Sequence, residues 1–159
     1  MPSAFSEQYA LVQDARAALL TYCETIKPEH FTAPVPSFNH ASIRDLLVHS
    51  ARAYHAWLGE AGLGRTEAPT EPAAVPDMAA LRALFARVDA LVADFEQHFT
   101  TRWQEPAFFE LRRRGLRVEL TPLQLFTHAL THEFHHKGQV LSMSRQLGYV
   151  PVDTDVIRT

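Results

Sequence analysis

Between Met78 and Phe99 the apolar residues Met78, Leu81, Phe85, Val88, Val92 and Phe95 recur at intervals of three, four and seven, with Leu84 and Leu91 beside them. So long a stripe describes a helix with one continuous apolar face, and such a face is best buried against other helices. Three further segments can supply them. From Ser6 to Lys27 the set Leu11, Ala15, Ala18, Leu19, Tyr22 and Ile26 keeps helical spacing until Pro28, Pro34 and Pro36 end it. A second helix starts at Ser42, an N-cap with Asp45 three positions on, and runs through Leu46, Leu47, Ala53, Tyr54, Trp57 and Leu58 to the stop Gly62-Leu63-Gly64. The last opens on Thr121, Pro122 and Gln124 and closes at Gly148 and Pro151.

The segment "GRTEAPTEPAAVPD" has three prolines and no apolar period, and reads as a surface connection between the second and third helices. In "AFFELRRRGLRVEL" the period changes to two: Phe109 and Leu111 alternate with Glu110 and Arg112, then Leu116, Val118 and Leu120 with Arg117 and Glu119, across an Arg-Gly turn. That pattern predicts a short β-hairpin with one apolar face. Four helices of about twenty residues, with a hairpin before the last, fit an all-α, antiparallel four-helix bundle. At 159 residues the chain is expected to form one domain over 1–159.

Composition narrows the function classes. Fifteen basic residues against 18 acidic ones give a net charge of −3, and the longest basic cluster is Arg112-Arg113-Arg114, so nucleic acid is not expected as a partner. No apolar run approaches a membrane span and no signal pattern opens the chain, which leads to the expectation of a soluble cytoplasmic protein. The single cysteine, Cys23, reads as a small buried apolar residue and not as a nucleophile.

Histidine is where the sequence points to chemistry. On the fourth helix His128, His132 and His136 are spaced by four and form a ladder on one face, beside Leu125, Ala129, Gln139, Val140 and Met143, so the ladder is expected to face the bundle interior. Two neutral imidazoles at i and i+4 can converge on one metal ion, and a third ligand must come from another helix. His49 is the best candidate, with the small residues Ala53 and Ala56 beyond it leaving room for an ion and a substrate. His128, Gln139 and Asp45 are candidates for fixing imidazole tautomers, and His128 is also a weak catalytic candidate. His135 points away from the pair, and His30, His40, His55 and His98 read as surface residues. A second apolar set on the last helix, Leu123, Phe126, Leu130, Phe134 and Leu141, calls for another packing partner, either the hairpin or a second subunit; a symmetric homodimer is the expectation.

His132, Glu133 and His136 also spell H-E-x-x-H, the zinc-peptidase motif in which the glutamate is the general base. The extended motif fails, since Gln139 and Ser142 stand where the glycine and third histidine of a metzincin would be, and the hairpin offers little sheet edge for a peptide. Glu133, a weak catalytic candidate, is expected instead to be a solvated helix charge paired with Lys137.

The stretches "SFNHASIRDLLVHSARAYHAWL" and "HALTHEFHHKGQVLSMSRQLGYVPVDTDVI" resemble the DinB/YfiT-like metalloenzyme family, named for DNA-damage-inducible genes and unrelated to the DNA polymerase. The resemblance rests on "LLVH", on H-x-x-x-H-K-G-Q and on the closing LGY-x-P-x-D-T-D. It implies a bundle of up-down-down-up topology, often dimeric, with zinc or nickel held by three histidines. Carried onto this chain the ligands are His49, His132 and His136, the three chosen by spacing.

The resemblance further implies a transferase that uses a low-molecular-weight thiol, such as bacillithiol or mycothiol, as co-substrate. The expected function is a metal-dependent S-transferase acting on small electrophiles. Alternatives are a metal-dependent hydrolase of a small amide or ester and a non-catalytic dimeric metal-binding stress protein.

Overall fold

The structure is a computed structural model that describes residues 3–158. Helix α1 (Ala4–Cys23) starts where the Ser3 hydroxyl accepts from the Ser6 N–H. Its buried stripe runs Tyr9, Val12, Arg16, Leu19 and Cys23, while Leu11, expected in the core, is 52% exposed. The charged Arg16 lies inside the apolar stripe and hides its true phase. Burial pushes the Cys23 thiol up to about 12, which keeps it an inert apolar filler. A one-turn helix α2 (Pro28–Phe31) then buries Phe31, and Val35 follows it into the core.

Helix α3 (Ile43–Tyr54) carries the expected capping box: Ser42 Oγ accepts from the Asp45 N–H, and the Asp45 carboxylate accepts from the Ser42 N–H. Beyond Tyr54 the helix does not keep its pitch but widens into a π-helix over His55–Gly62, and the chain leaves it at Gly64, whose φ is +67°. Gly62 is therefore the last turn of the helix and not merely its stop. A Cβ there would come within 2.5 Å of the Phe95 ring, which is fully buried and cannot yield. Gly62→Ala is accordingly expected to cost about 1–3 kcal/mol by overpacking, read as a lower urea midpoint with an unchanged slope.

Helix α4 (Met78–His98), capped by Asp77, presents the stripe read from the sequence, with Leu81, Leu84, Phe85, Val88, Leu91, Val92 and Phe95 all buried. Strands β1 (Ala107–Leu111) and β2 (Leu116–Leu120) pair antiparallel with Phe109 opposite Val118 and Leu111 opposite Leu116. One face of the hairpin is thus apolar, and Phe109 is its buried anchor. The turn is longer than an Arg-Gly pair: Arg112–Arg114 form a 3-10 turn and Gly115 takes φ +61°. Helix α5 (Pro122–Gln146) begins at a second capping box, Thr121 with Gln124.

Side-chain contacts give the directions of the helices. Arg82 of α4 reaches Glu24 just past the end of α1, whereas Asp89 meets Tyr9, so α1 and α4 are antiparallel. Arg16 meets Glu133 and Tyr22 meets Ser144, so α1 and α5 are parallel. Trp57 meets His128 and His49 meets His136, which makes α3 and α5 antiparallel. The four long helices form the expected up-down-down-up bundle. The proline-rich segment after Gly64 is the crossover that parallel neighbours α3 and α4 require, folded around a 3-10 turn at Pro72–Ala74.

On α5 the buried face is one broad arc: Leu125, Phe126, Ala129, Leu130, Glu133, His136, Lys137, Val140, Met143 and Ser144. It lies between the two stripes expected from the sequence and merges them. Phe126 packs against Phe5, Tyr9 and Trp103 of the same chain. Leu123, Phe134 and Leu141 are only partly buried.

Candidate metal centre

Glu133 settles how α5 is rolled. It is buried and accepts from Arg16 through both arms of the guanidinium fork, Nε to Oε1 at 2.7 Å and Nη2 to Oε2 at 2.9 Å, and from the Tyr54 hydroxyl at 2.5 Å. Arg16 also donates to Asp89 at 2.7 Å and to the Tyr9 hydroxyl at 3.0 Å, with its guanidinium 4.6 Å from the Phe85 ring centre. Burial works against the charge on Arg16, but the Glu133 carboxylate outweighs it and raises the guanidinium well above its ordinary value. Burial likewise raises both phenols, so Tyr9 and Tyr54 stay protonated and donate.

The expectation of a solvated Glu133 paired with Lys137 is therefore corrected. Lys137 is itself buried, donating to the Thr154 carbonyl at 2.6 Å and lying 3.5 Å from the Asp155 carboxylate. The closing motif is a strap: Thr154 is buried, Arg158 binds Asp14, and the Tyr149 hydroxyl accepts from the Lys27 N–H and bonds His30 Nδ1 at 2.8 Å.

With Glu133 fixed in the core, His132 and His136 emerge on the side of α5 that faces α3. The nitrogens of His49, His132 and His136 that face one another all lie within 4.8 Å. His132 Nε2 is 3.2 Å from His49 Nε2. Tetrahedral ligands about 2.05 Å from one zinc ion are roughly 3.3 Å apart, so this spacing suits a shared ion. His136 donates from Nδ1 to the Gln139 amide oxygen at 2.6 Å, which leaves Nε2 as its lone-pair nitrogen. Gln139 thus does what was expected of it. Asp45 does not, because its carboxylate is held by the cap and by Arg44. Tyr54 joins the cluster to the core, since it lies on the same helix α3 as His49 and bonds Glu133 of α5.

The ladder does not face the interior as expected. His136 is buried, His132 half-buried and His49 exposed, so the cluster sits at the mouth of a cleft. Burial lowers all three imidazoles; in His132 it is reinforced by His136 and His49 and brings the ring down to about 4. Near neutral pH all three are uncharged and have lone pairs to give.

The cleft is a cavity of about 500 Å³ into which His49 and His132 project. Ala53 and Ala56 leave the space expected beside His49, and Trp57, Leu111 and His128 form the apolar wall. His128 is exposed, with its ring 4.3 Å from Trp57 and stacked 5.8 Å from His132; burial lowers it as well. Glu133 does not line this cavity. His40, His98 and His135 are exposed as expected, but His30 and His55 are partly buried, and His55 Nε2 has no partner among the described residues. Trp57, Glu60 and the hairpin arginines belong to the cavity and were missed in the sequence. Three consecutive arginines beside an apolar-faced hairpin were the available signal.

Bundle and cluster together define a helical protein with a three-histidine site able to hold a metal ion. The DinB family model matches residues 1–159, and the chain belongs to the DinB family. No curated protein is similar enough in sequence to match. Among the described residues no helix is long and apolar enough to cross a membrane.

Proposed function

We propose that the protein is a divalent-metal-dependent S-transferase, with His49, His132 and His136 as ligands of zinc or nickel and a low-molecular-weight thiol as co-substrate. The observation that carries this reading is the convergence of three uncharged imidazoles at the mouth of an open cavity. Three neutral nitrogens suit zinc or nickel, cancel none of the ion's charge and fill fewer positions than such an ion offers. An ion held there would lower the pKa of a bound thiol towards neutrality and so supply a nucleophile at cellular pH.

The chain's own residues do the rest. Gln139 holds His136 in one tautomer, the Arg16–Glu133–Tyr54 network fixes α5 against α1 and α3, and Trp57 and Leu111 shield one side of the cavity from water. Glu133 has no proton-transfer role in this scheme, since its oxygens are taken by Arg16 and Tyr54.

The test is an assay of zinc- or nickel-loaded protein with a small thiol and chloro-dinitrobenzene, in which sulfur bonds the ring carbon and chloride leaves. Turnover is expected to fall to the uncatalysed rate when a chelator removes the metal. A rate indifferent to metal removal would sink the proposal, and metal-dependent ester cleavage without thiol would replace it with hydrolysis. We further propose a cytoplasmic homodimer; a groove between α1 and α5, lined by Leu11, Leu130, Phe134 and Val156, is its candidate contact.

A further inference from the structure

We propose that the cavity beside the histidine cluster takes a small organic anion, whose carboxylate is bound by Arg112 and Arg114 at the hairpin tip. This rests on the metal reading only for which end of the molecule reacts. In a chain of net charge −3 the cavity lining is reversed in sign, with Arg52, Arg112, Arg113 and Arg114 against Glu60 and Glu110.

Most of the other charges in the lining are engaged. Glu60 is 3.5 Å from Arg113, Glu110 is 3.4 Å from Arg117, and Arg52 is 3.5 Å from Glu71. Arg112 and Arg114 have no carboxylate partner among the described residues. Arg112 donates only to the neutral Thr66 hydroxyl, at 3.1 Å, and Arg114 lies 5.5 Å from the Trp57 ring centre. Two guanidinium forks without counter-charge, in a concave site, are the donor arrangement that recognises a carboxylate.

The remaining wall defines the rest of the ligand. Trp57, 5.5 Å from the Arg114 guanidinium and 4.3 Å from the His128 ring, and Leu111 supply apolar surface in the same lining, and the small Ala53 and Ala56 leave depth, so a flat or short apolar body suits the rest of the ligand. The hairpin thereby acquires a purpose in specificity. Its buried Phe109 anchors it to the bundle while Arg112–Arg114 reach over the cavity.

The probe pair is 4-nitrobenzoate and 4-nitrobenzamide, alike in shape and differing in charge, titrated calorimetrically into the metal-free chain. The benzoate is expected to bind the parent at least about tenfold more tightly, the size of one charge-assisted contact. In R112A/R114A, whose changes fall on exposed residues and leave the core intact, the preference is expected to vanish while zinc binding matches the parent. Equal affinity of the two probes for the parent would overturn the inference, as would a preference that survives in the variant. Loss of zinc binding in R112A/R114A would also overturn it, because the arginines would then act by holding the site together. A parent that binds no zinc but prefers the benzoate would refute the metal reading and leave the anion site standing.

Discussion

Replacing Glu133 by alanine is expected to lower the stability of the protein by about 3–5 kcal/mol, the cost of removing one partner from a buried ion pair. For a chain of this size that corresponds to a fall in Tm of roughly 6–20 °C. The loss has named sources. Arg16, 4% exposed, would keep its charge with only the half-exposed Asp89 to balance it, and the buried Tyr54 hydroxyl would lose its acceptor. Replacing both partners, in Arg16→Met with Glu133→Met, is expected to recover much of the loss, since an apolar pair of similar volume need not be solvated. Urea unfolding of parent, single and double variants measures this. A Glu133→Ala protein within about 0.5 kcal/mol of the parent would return Glu133 to the role its motif suggests, because a catalytic base can be deleted without unfolding the chain.

The second large effect concerns the ligands themselves. With metal bound by His49, His132 and His136, removing any one imidazole leaves two donors, and the ion is expected to be lost on dialysis. Protons compete for the same lone pairs. Because burial lowers all three rings, His132 to about 4, bound metal is expected to resist proton competition between pH 8 and pH 6 better than a site of ordinary imidazoles would. Ligands with ordinary imidazole values near 6.5 would already lose affinity over that interval. In the metal-free protein the sign follows from proton uptake. Between about pH 6.5 and 4 the unfolded chain binds protons that the folded rings refuse, so stability falls as pH is lowered through that window.

What could be read from the sequence was local or nearly so. The capping boxes at Ser42 and Thr121 depend on residues three positions apart, and the pairing of His132 with His136 depends on helical pitch alone. His49 was legible because a third nitrogen was required and the second helix had one at the edge of its apolar arc. Arg16 and Glu133 were not, because a charge on a helix reads as solvated until the partner helix is known. A trace was present nonetheless: Arg16 falls in phase with Tyr9, Val12 and Leu19, and Glu133 with Phe126, Ala129 and Leu130, and charges inside apolar stripes imply burial together. The π-helix after Tyr54 left no such trace. Its wider turn belongs to the segment after α3 that packs on α4, where Gly62 lies against Phe95, a tertiary contact that no local pattern encodes.

The letters H-E-x-x-H divide in this chain between two sides of one helix turn: His132 and His136 turn towards His49, where they could hold a metal ion, while Glu133 locks the helix from within. Metal content of single variants distinguishes the two sides of the turn. Parent, His49→Ala, His132→Ala, His136→Ala and Glu133→Gln are each equilibrated with zinc or nickel, dialysed at pH 7 and measured by elemental mass spectrometry. The parent and Glu133→Gln are expected to hold about one ion per folded chain, as befits a site with three protein ligands, and each histidine variant close to none. Stoichiometric metal in all three histidine variants would contradict this division.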